Sequence, residues 1–234
     1  WATTMNIWND IYEFFFPRYC AVCNKRLLQS EAGLCFHCLS GLPRTHMDLL
    51  KDNQMEKNFW GCFPLERATS FLYYSKGGDV RKLLYELKYY GNKHLGVELG
   101  RCMTSEIHSS GFFEGVDGII PVPLHPKKKR IRGYNQSEVL AEGISSVSGI
   151  PVWNDSLIRQ QFTDTQTRKS RFGRWENVND VFVCQNEERL EGKHILLVDD
   201  VATTGATIVA CADALKHIRG LRISVLTLAV VADT

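Results

Sequence analysis

Apolar residues fall at helical spacing over residues 5–16, where Ile7, Ile11, Phe14 and Phe15 share one face and Trp8, Tyr12 and Phe16 another. A helix apolar on so many sides must be covered. Either the body of the same chain covers it, or it is a docking surface for a partner protein or a membrane interface. Residues 42–64 show no clear period and read as a linker. An aromatic-rich strand is expected over 68–74, then a turn at Lys76-Gly77-Gly78. Val80, Leu83, Leu84 and Leu87 recur at i, i+3, i+4 and i+7, which predicts an amphipathic helix with Arg81, Lys82 and Lys88 on other faces and Gly91 near its end. A further helix is expected over 94–107 and a strand over 118–122. Asn135, followed three residues later by Glu138, predicts the N-terminus of a helix whose apolar face holds Val139, Leu140, Ile144 and Val147. Ile195 to Val198 is short enough for a buried parallel strand. Ile208, Cys211, Ala212, Leu215 and Ile218 then trace a helix, and 221–231 another buried strand.

Strands alternating with helices predict an α/β fold, and composition agrees. The chain has 234 residues, 44% of them hydrophobic, which excludes a disordered protein and suffices for one α/β domain with a small appendage. Its formal charge of +2 does not by itself argue for nucleic acid, so anion binding has to come from local clusters. No apolar stretch is long enough to span a bilayer, and the first residues carry Asp10 and Glu13 where a secretory signal would be basic. The expected compartment is the cytoplasm.

The chemistry concentrates at residues 194–207. The strand 195–198 runs directly into Asp199 and Asp200, then into Thr203, Thr204 and Gly205, and then into a helix start. Paired carboxylates accept hydrogen bonds from ribose hydroxyls, and amides converging at a helix N-terminus bind phosphate. The alternative is an ordinary βα turn of a doubly wound domain. Four apolar residues, two acids, a Thr-rich turn and Gly205-x-Thr207 resemble the signature of the type I phosphoribosyltransferases. That resemblance implies a ligand, phosphoribosyl diphosphate (PRPP). Asp199 and Asp200 would hold its ribose hydroxyls, and Ala202, Thr203, Thr204, Gly205, Ala206 and Thr207 would cradle its 5-phosphate.

Cys20 and Cys23, then eleven residues, then Cys35 and Cys38 form two Cys-x2-Cys knuckles. This spacing predicts a structural, four-thiolate zinc site with no open coordination position. The alternative is two disulfides, which a reducing cytosol disfavours. His37 reads as a solvated knuckle residue rather than a further ligand, and Cys62, Cys102, Cys184 and Cys211 as small buried hydrophobes. Lys127, Lys128, Lys129, Arg130 and Arg132 place five cations in six residues. Such a run is either a solvated face or, because it follows a strand end as the Asp pair does, a loop that neutralises a diphosphate.

The knuckles, Pro121-Val-Pro-Leu-His-Pro126, Arg132-Gly-Tyr-Asn-Gln136 and the Asp-Asp motif together resemble the ComF family over nearly the whole chain. Two further family elements stand at Thr163-x-x-Gln166 and Arg174-x-x-Asn177, in a polar stretch expected to act as a lid. Only the lone Cys62 stands where some members carry further cysteine pairs, which puts a second zinc in doubt. The resemblance implies a type I phosphoribosyltransferase-like parallel sheet flanked by helices, over residues 61–234. Residues 1–60 would hold the N-terminal helix, the zinc module and the linker. It implies Mg2+ with PRPP, an acceptor it does not define, and a role in DNA uptake during natural competence. Two functional classes follow. One is a phosphoribosyltransferase that releases diphosphate. The other is a catalytically silent PRPP sensor that binds single-stranded DNA or a helicase-type partner, with Tyr134, Phe172 and Trp175 as candidate stacking aromatics.

Overall fold

In the computed structural model, residues 15, 17–160 and 181–231 are described. Four parallel strands form the central sheet: β1 (Leu65–Tyr74), β2 (Gly118–Pro121), β5 (His194–Ala202) and β6 (Arg222–Val231), in the spatial order β1-β6-β5-β2. Their parallel register pairs Asp199 with Thr227 and Pro121 with Val198, so the β5 acids and the β2 exit lie at one edge of the sheet. A separate antiparallel ribbon joins β3 (Leu157–Gln160) to β4 (Val181–Cys184).

Alternation along β5 divides the core. Leu196 and Val198 point into one apolar cluster, while Ile195 and Leu197 point into another on the opposite face. All four are fully buried, as a strand covered on both sides requires. Helices α3 (Asp79–Tyr89), α4 (Lys93–Ile107) and α6 (Gln136–Ser148) cover the first face. Helix α8 (Ala206–Asp213) covers the second, together with Met47, Met55 and Phe59.

Those last three side chains lie in the segment expected to be a period-free linker. It forms a 3-10 turn, Met47–Leu49, and the short helix α2 (Gln54–Lys57), whose Asn53 and Glu56 close a capping box. Turns this short carry too few residues to show a period, yet Met55 and Phe59 are completely buried. The helix expected to run as far as Ile218 ends at Asp213; Leu215 and Ile218 continue in i to i+3 turns and stay buried. Of the four cysteines without a partner spacing, Cys211 is buried, Cys102 and Cys184 are partly exposed, and Cys62 is exposed, contrary to expectation.

The tightest packing is between α4 and α6. A Cβ on Gly143 would lie 2.1 Å from the Val97 carbonyl oxygen, and one on Gly100 would lie 2.3 Å from that of Leu140. Only two glycines facing each other allow the backbones this close, and α6 thereby reaches the sheet edge where its N-terminus is needed. Gly143→Val should destabilise the fold by about 2–3 kcal/mol through overpacking. Thermal unfolding followed by circular dichroism should then show a Tm lower by roughly 5–10 °C.

Candidate functional site

At the carboxyl end of β5 a cavity of about 200 Å3 opens, lined by Asp199, Asp200, Thr207, Lys128, Arg132 and Gln136 among others. Three elements converge there. Strand β5 delivers the two acids, α8 begins at the far side of the turn, and α6 points its N-terminus across the gap. In a parallel α/β sheet this is the edge where ligands collect.

The acidic pair is differentiated by its neighbours. Lys88, the penultimate residue of α3, places Nζ 3.0 Å from Asp200 Oδ2 in a largely buried ion pair. Asp199 Oδ1 accepts from Ser137 Oγ at 3.1 Å and from the Asp200 amide at 2.8 Å. Burial, and then the charge of Asp200, push the Asp199 carboxyl up to about 7. Lys88 and Ser137 pull it the other way without overcoming burial.

In the turn after β5, Ala202 is buried while Thr203 and Thr204 are exposed; of residues 202–207 only Thr207 lines this cavity, and Thr203 lines a neighbouring one. Gly205 adopts φ +74° and precedes α8, whose N-terminus has no side-chain cap. A Cβ at this glycine would lie 2.6 Å from the Phe59 ring, so both the backbone angle and the packing demand glycine. Thr207 faces the cavity. The Ala206 amide donates to Thr204 Oγ1 at 3.4 Å, and a glycine-capped first turn beside hydroxyls is chemically suited to an oxyanion.

The basic run is not a loop. His125 caps a helix, α5 (Pro126–Arg132), with Pro126 in its first turn and Gly133 at φ +79° closing it. Helical winding disperses the five cations. Lys128 and Arg132 line the cavity. Lys129 is bound to Glu138 at 2.7 Å, and with Arg130 it lines an adjoining cleft. Lys127 is exposed and lines none of these clefts among the described residues. Because Glu138 pairs with Lys129, the capping box expected with Asn135 does not close. Asn135 caps α6 by accepting from Ser137 N, and its Nδ2 donates to the Val122 carbonyl at 2.9 Å, which ties α6 to the β2 exit.

Tyr134 is buried, with its hydroxyl donating to the Leu87 carbonyl, so it is not a stacking surface. Phe172, Trp175 and the four lid residues Thr163, Gln166, Arg174 and Asn177 lie outside the described residues, as does nearly all of segment 5–16.

Two residues at the cavity, Lys88 and Arg159, carry no motif that singled them out, and Gln136 stands in the 132–136 run without a role assigned there. Lys88 reads in the sequence only as a cation off the apolar face. Arg159, from β3, stacks its guanidinium 5.2 Å over Phe182 and lines the cavity beside Lys128. Gln136 is 1% exposed and has no hydrogen-bond partner for Nε2 among the described residues. A buried amide donor is costly unless something accepts from it.

At the other end of the molecule, the Sγ atoms of Cys20, Cys23, Cys35 and Cys38 all lie within 4.8 Å of one another. Cys23 and Cys35 are 3.7 Å apart, close to the edge of about 3.8 Å that a tetrahedron with ~2.3 Å metal–sulfur bonds requires. The Cys35 amide points at Cys20 Sγ at 3.4 Å, as in a metal-binding knuckle. His37 is exposed and outside the cluster. Buried Glu31 accepts from the amides of Leu28 and Phe36 at 2.7 and 2.8 Å and shapes the second knuckle. The module packs on the main domain, since Cys20, Leu27, Leu34 and Cys38 share one apolar cluster with α3 and α4.

The profile described as "Phosphoribosyl transferase domain" matches residues 135–233, the stretch that holds α6, the acidic pair and α8. Along most of its length the chain is similar to the following two proteins, among others. The DNA utilization protein YhgH of Escherichia coli strain K12 is 29% identical over 199 residues, which is 84% of this chain and 83% of that protein. The competence protein ComFC of Bacillus subtilis is 30% identical over 191 residues, 82% of this chain and 75% of that protein. Competence protein F of Haemophilus influenzae is 36% identical over 93 residues, 39% of this chain and 41% of that protein. The chain belongs to the ComF family.

Asp199 links the site to stability. Its carboxyl ionises in the unfolded chain near the ordinary value of about 3.9 and in the folded protein near 7. The folded state therefore holds the extra proton, and stability falls as pH rises between those values. Asp199→Asn should be more stable than the parent at pH 8, by on the order of 1–3 kcal/mol, and the difference should close near pH 4. Urea unfolding at the two pH values measures this.

Proposed function

We propose that the chain binds PRPP and transfers its phosphoribosyl group to an acceptor, with release of diphosphate. One observation carries this reading: a single cavity joins two strand-end carboxylates, Thr207 in the first turn of α8, and the cations Lys128 and Arg132 beside Gln136. Ribose hydroxyls, a 5-phosphate and a diphosphate need those three surroundings in that order.

Asp199 and Asp200 would accept from the two ribose hydroxyls, with Lys88 holding the pair's charge low enough that an anionic substrate is not repelled. The 5-phosphate would lie against residues 202–207, and the diphosphate would face Lys128, Arg132 and Gln136. As the bond from C1 to the diphosphate oxygen breaks, its electron pair leaves with the diphosphate, where those donors spread the charge. Positive charge developing on the ribose is stabilised by the acids beneath it. Orientation and electrostatics account for the rate, with no protein nucleophile required. The hard oxygens at this cavity suit Mg2+, which supplies charge neutralisation to the diphosphate when bound with it.

The four-cysteine cluster would hold one Zn2+, a structural ion that compensates for the small core of the N-terminal module. The names of two relatives, a DNA utilization protein and a competence protein, support a link of this chemistry to competence.

Titration calorimetry with PRPP and Mg2+ should show binding to the parent and at least a tenfold loss, about 1.4 kcal/mol, in Asp199→Ala/Asp200→Ala. Equal binding by both proteins would remove the carboxylates from the site. Incubation of labelled PRPP with a metabolite and oligonucleotide pool should release diphosphate above the no-pool control. Metal analysis should return about one zinc per chain, and Cys20→Ser should lose the zinc and lower the Tm. A zinc-free parent with an unchanged melting curve would refute the metal assignment.

A further inference from the structure

A cavity of about 260 Å3 opens beside β1, the edge strand of the sheet, between the 3-10 turn Met47–Leu49 and the end of α4. It shares no lining residue with the Asp199–Asp200 cavity. The segment that forms its outer wall is pinned to β1. The Thr45 amide donates to the Phe71 carbonyl at 3.1 Å, the Thr45 hydroxyl donates to the Ser70 carbonyl, and the Met47 amide donates back to Thr45 Oγ1 at 3.2 Å. Within this clamp His46 is held at φ +53°, a left-handed conformation that few residues with a side chain adopt.

Most of the charge around the cavity is matched internally. Arg44 is the one lysine or arginine among the described residues that line it, and it is fully engaged. Its Nε and Nη2 donate to both carboxylate oxygens of Glu106 at 2.8 and 2.7 Å, and Nη1 donates to the Leu39 and Leu42 carbonyls at 3.0 and 3.2 Å. Asp48 is different. It is 8% exposed, and among the described residues its carboxylate has neither a hydrogen-bond donor nor a cation within ion-pair distance. Arg67 donates to the Asp48 carbonyl oxygen, not to the carboxylate. The His46 imidazole and the Ser109 hydroxyl, which also line the cavity, have no partner among the described residues either. A buried carboxylate without a partner is costly, and that cost is relieved by a cation that donates hydrogen bonds to it.

We infer that this cavity is a binding site for a small primary amine. An ammonium group carries one positive charge and three N–H donors, which match one unpaired carboxylate and the two further open acceptors, His46 and Ser109. Leu49, Phe71 and Ile107 provide an apolar wall for the alkyl chain. A bare metal ion does not suit the site, because among the described residues only the four cysteines approach one another closely enough to share one. The volume lies below the range of about 300 Å3 upward in which drug-sized ligands bind, so the ligand is a short chain and not a ring system. The site stands independently of the PRPP reading above.

Nuclear magnetic resonance titration of the full chain with butylamine tests it. Saturable shifts are expected in the amides of residues 44–49 and 106–109, with those of residues 199–207 unmoved. Butanol has the chain without the charge, and tetramethylammonium has the charge without N–H donors; each should bind more weakly by about tenfold or more, and butyrate should not bind. Asp48→Asn keeps the shape of the side chain and removes its charge, and should lose about tenfold or more in affinity for butylamine. Without the amine, Asp48→Asn should melt at or above the Tm of the parent, because no ion pair is lost. Saturating butylamine should raise the Tm of the parent and leave that of Asp48→Asn unchanged. Shifts that do not saturate, tetramethylammonium binding as tightly as butylamine, undiminished binding by Asp48→Asn, or a lower Tm of Asp48→Asn without the amine would each overturn the site.

Discussion

Two adjacent carboxylates at the end of a buried strand repel each other, and water is largely excluded from both. Such a pair persists only if the surroundings treat its members differently, because each unit of charge left unbalanced in a poorly solvated site costs more than it would in water. Here Asp200 receives a lysine, and Asp199 receives a hydroxyl and an amide but no cation. One acid is thereby paired with a cation, while the other ionises only near neutrality. Much of the surrounding architecture follows from supplying those partners.

Lys88 reaches Asp200 only because α3 ends beside β5, and Tyr134 secures that end by donating its hydroxyl to the Leu87 carbonyl. Ser137 reaches Asp199 only because α6 begins at the sheet edge, held there by Asn135 on Val122 and by the Gly100–Gly143 contact with α4. Residues 132–136 are thus one device. Arg132 faces the cavity, Gly133 ends one helix, Tyr134 pins a second, Asn135 starts a third and Gln136 turns its open amide inward. A run that looks like a binding motif is in large part a structural joint.

The anion side is built by a different route. Gly205 turns the chain into α8 with no side-chain cap, and Phe59 fills the space beneath that turn. The phosphate-facing turn is therefore supported by the segment before β1 as well as by its own helix. The cysteine module likewise shares apolar contacts with α3 and α4 rather than standing apart. Its integrity and that of the α3 face are for this reason physically linked.

What the amino-acid sequence determined alone was whatever depends on near neighbours in the chain. The strand and turn at 194–207, the helix spacing of Val80, Leu83, Leu84 and Leu87, and the two Cys-x2-Cys knuckles are local patterns, because a strand, a helical stripe or a metal knuckle is specified within a few residues. The basic run misled for a related reason: its charge density is visible in sequence, but the helical winding that sends Lys129 to Glu138 and Lys128 to the cavity is not. Tertiary structure alone decided that Lys88 meets Asp200, that Phe59 supports Gly205 and that Gln136 is buried with an open donor. Those contacts join residues far apart in the chain, and no local period encodes them. They exist because both faces of one parallel sheet had to be covered, and covering them brought α3, α6 and a short aperiodic segment to the same edge.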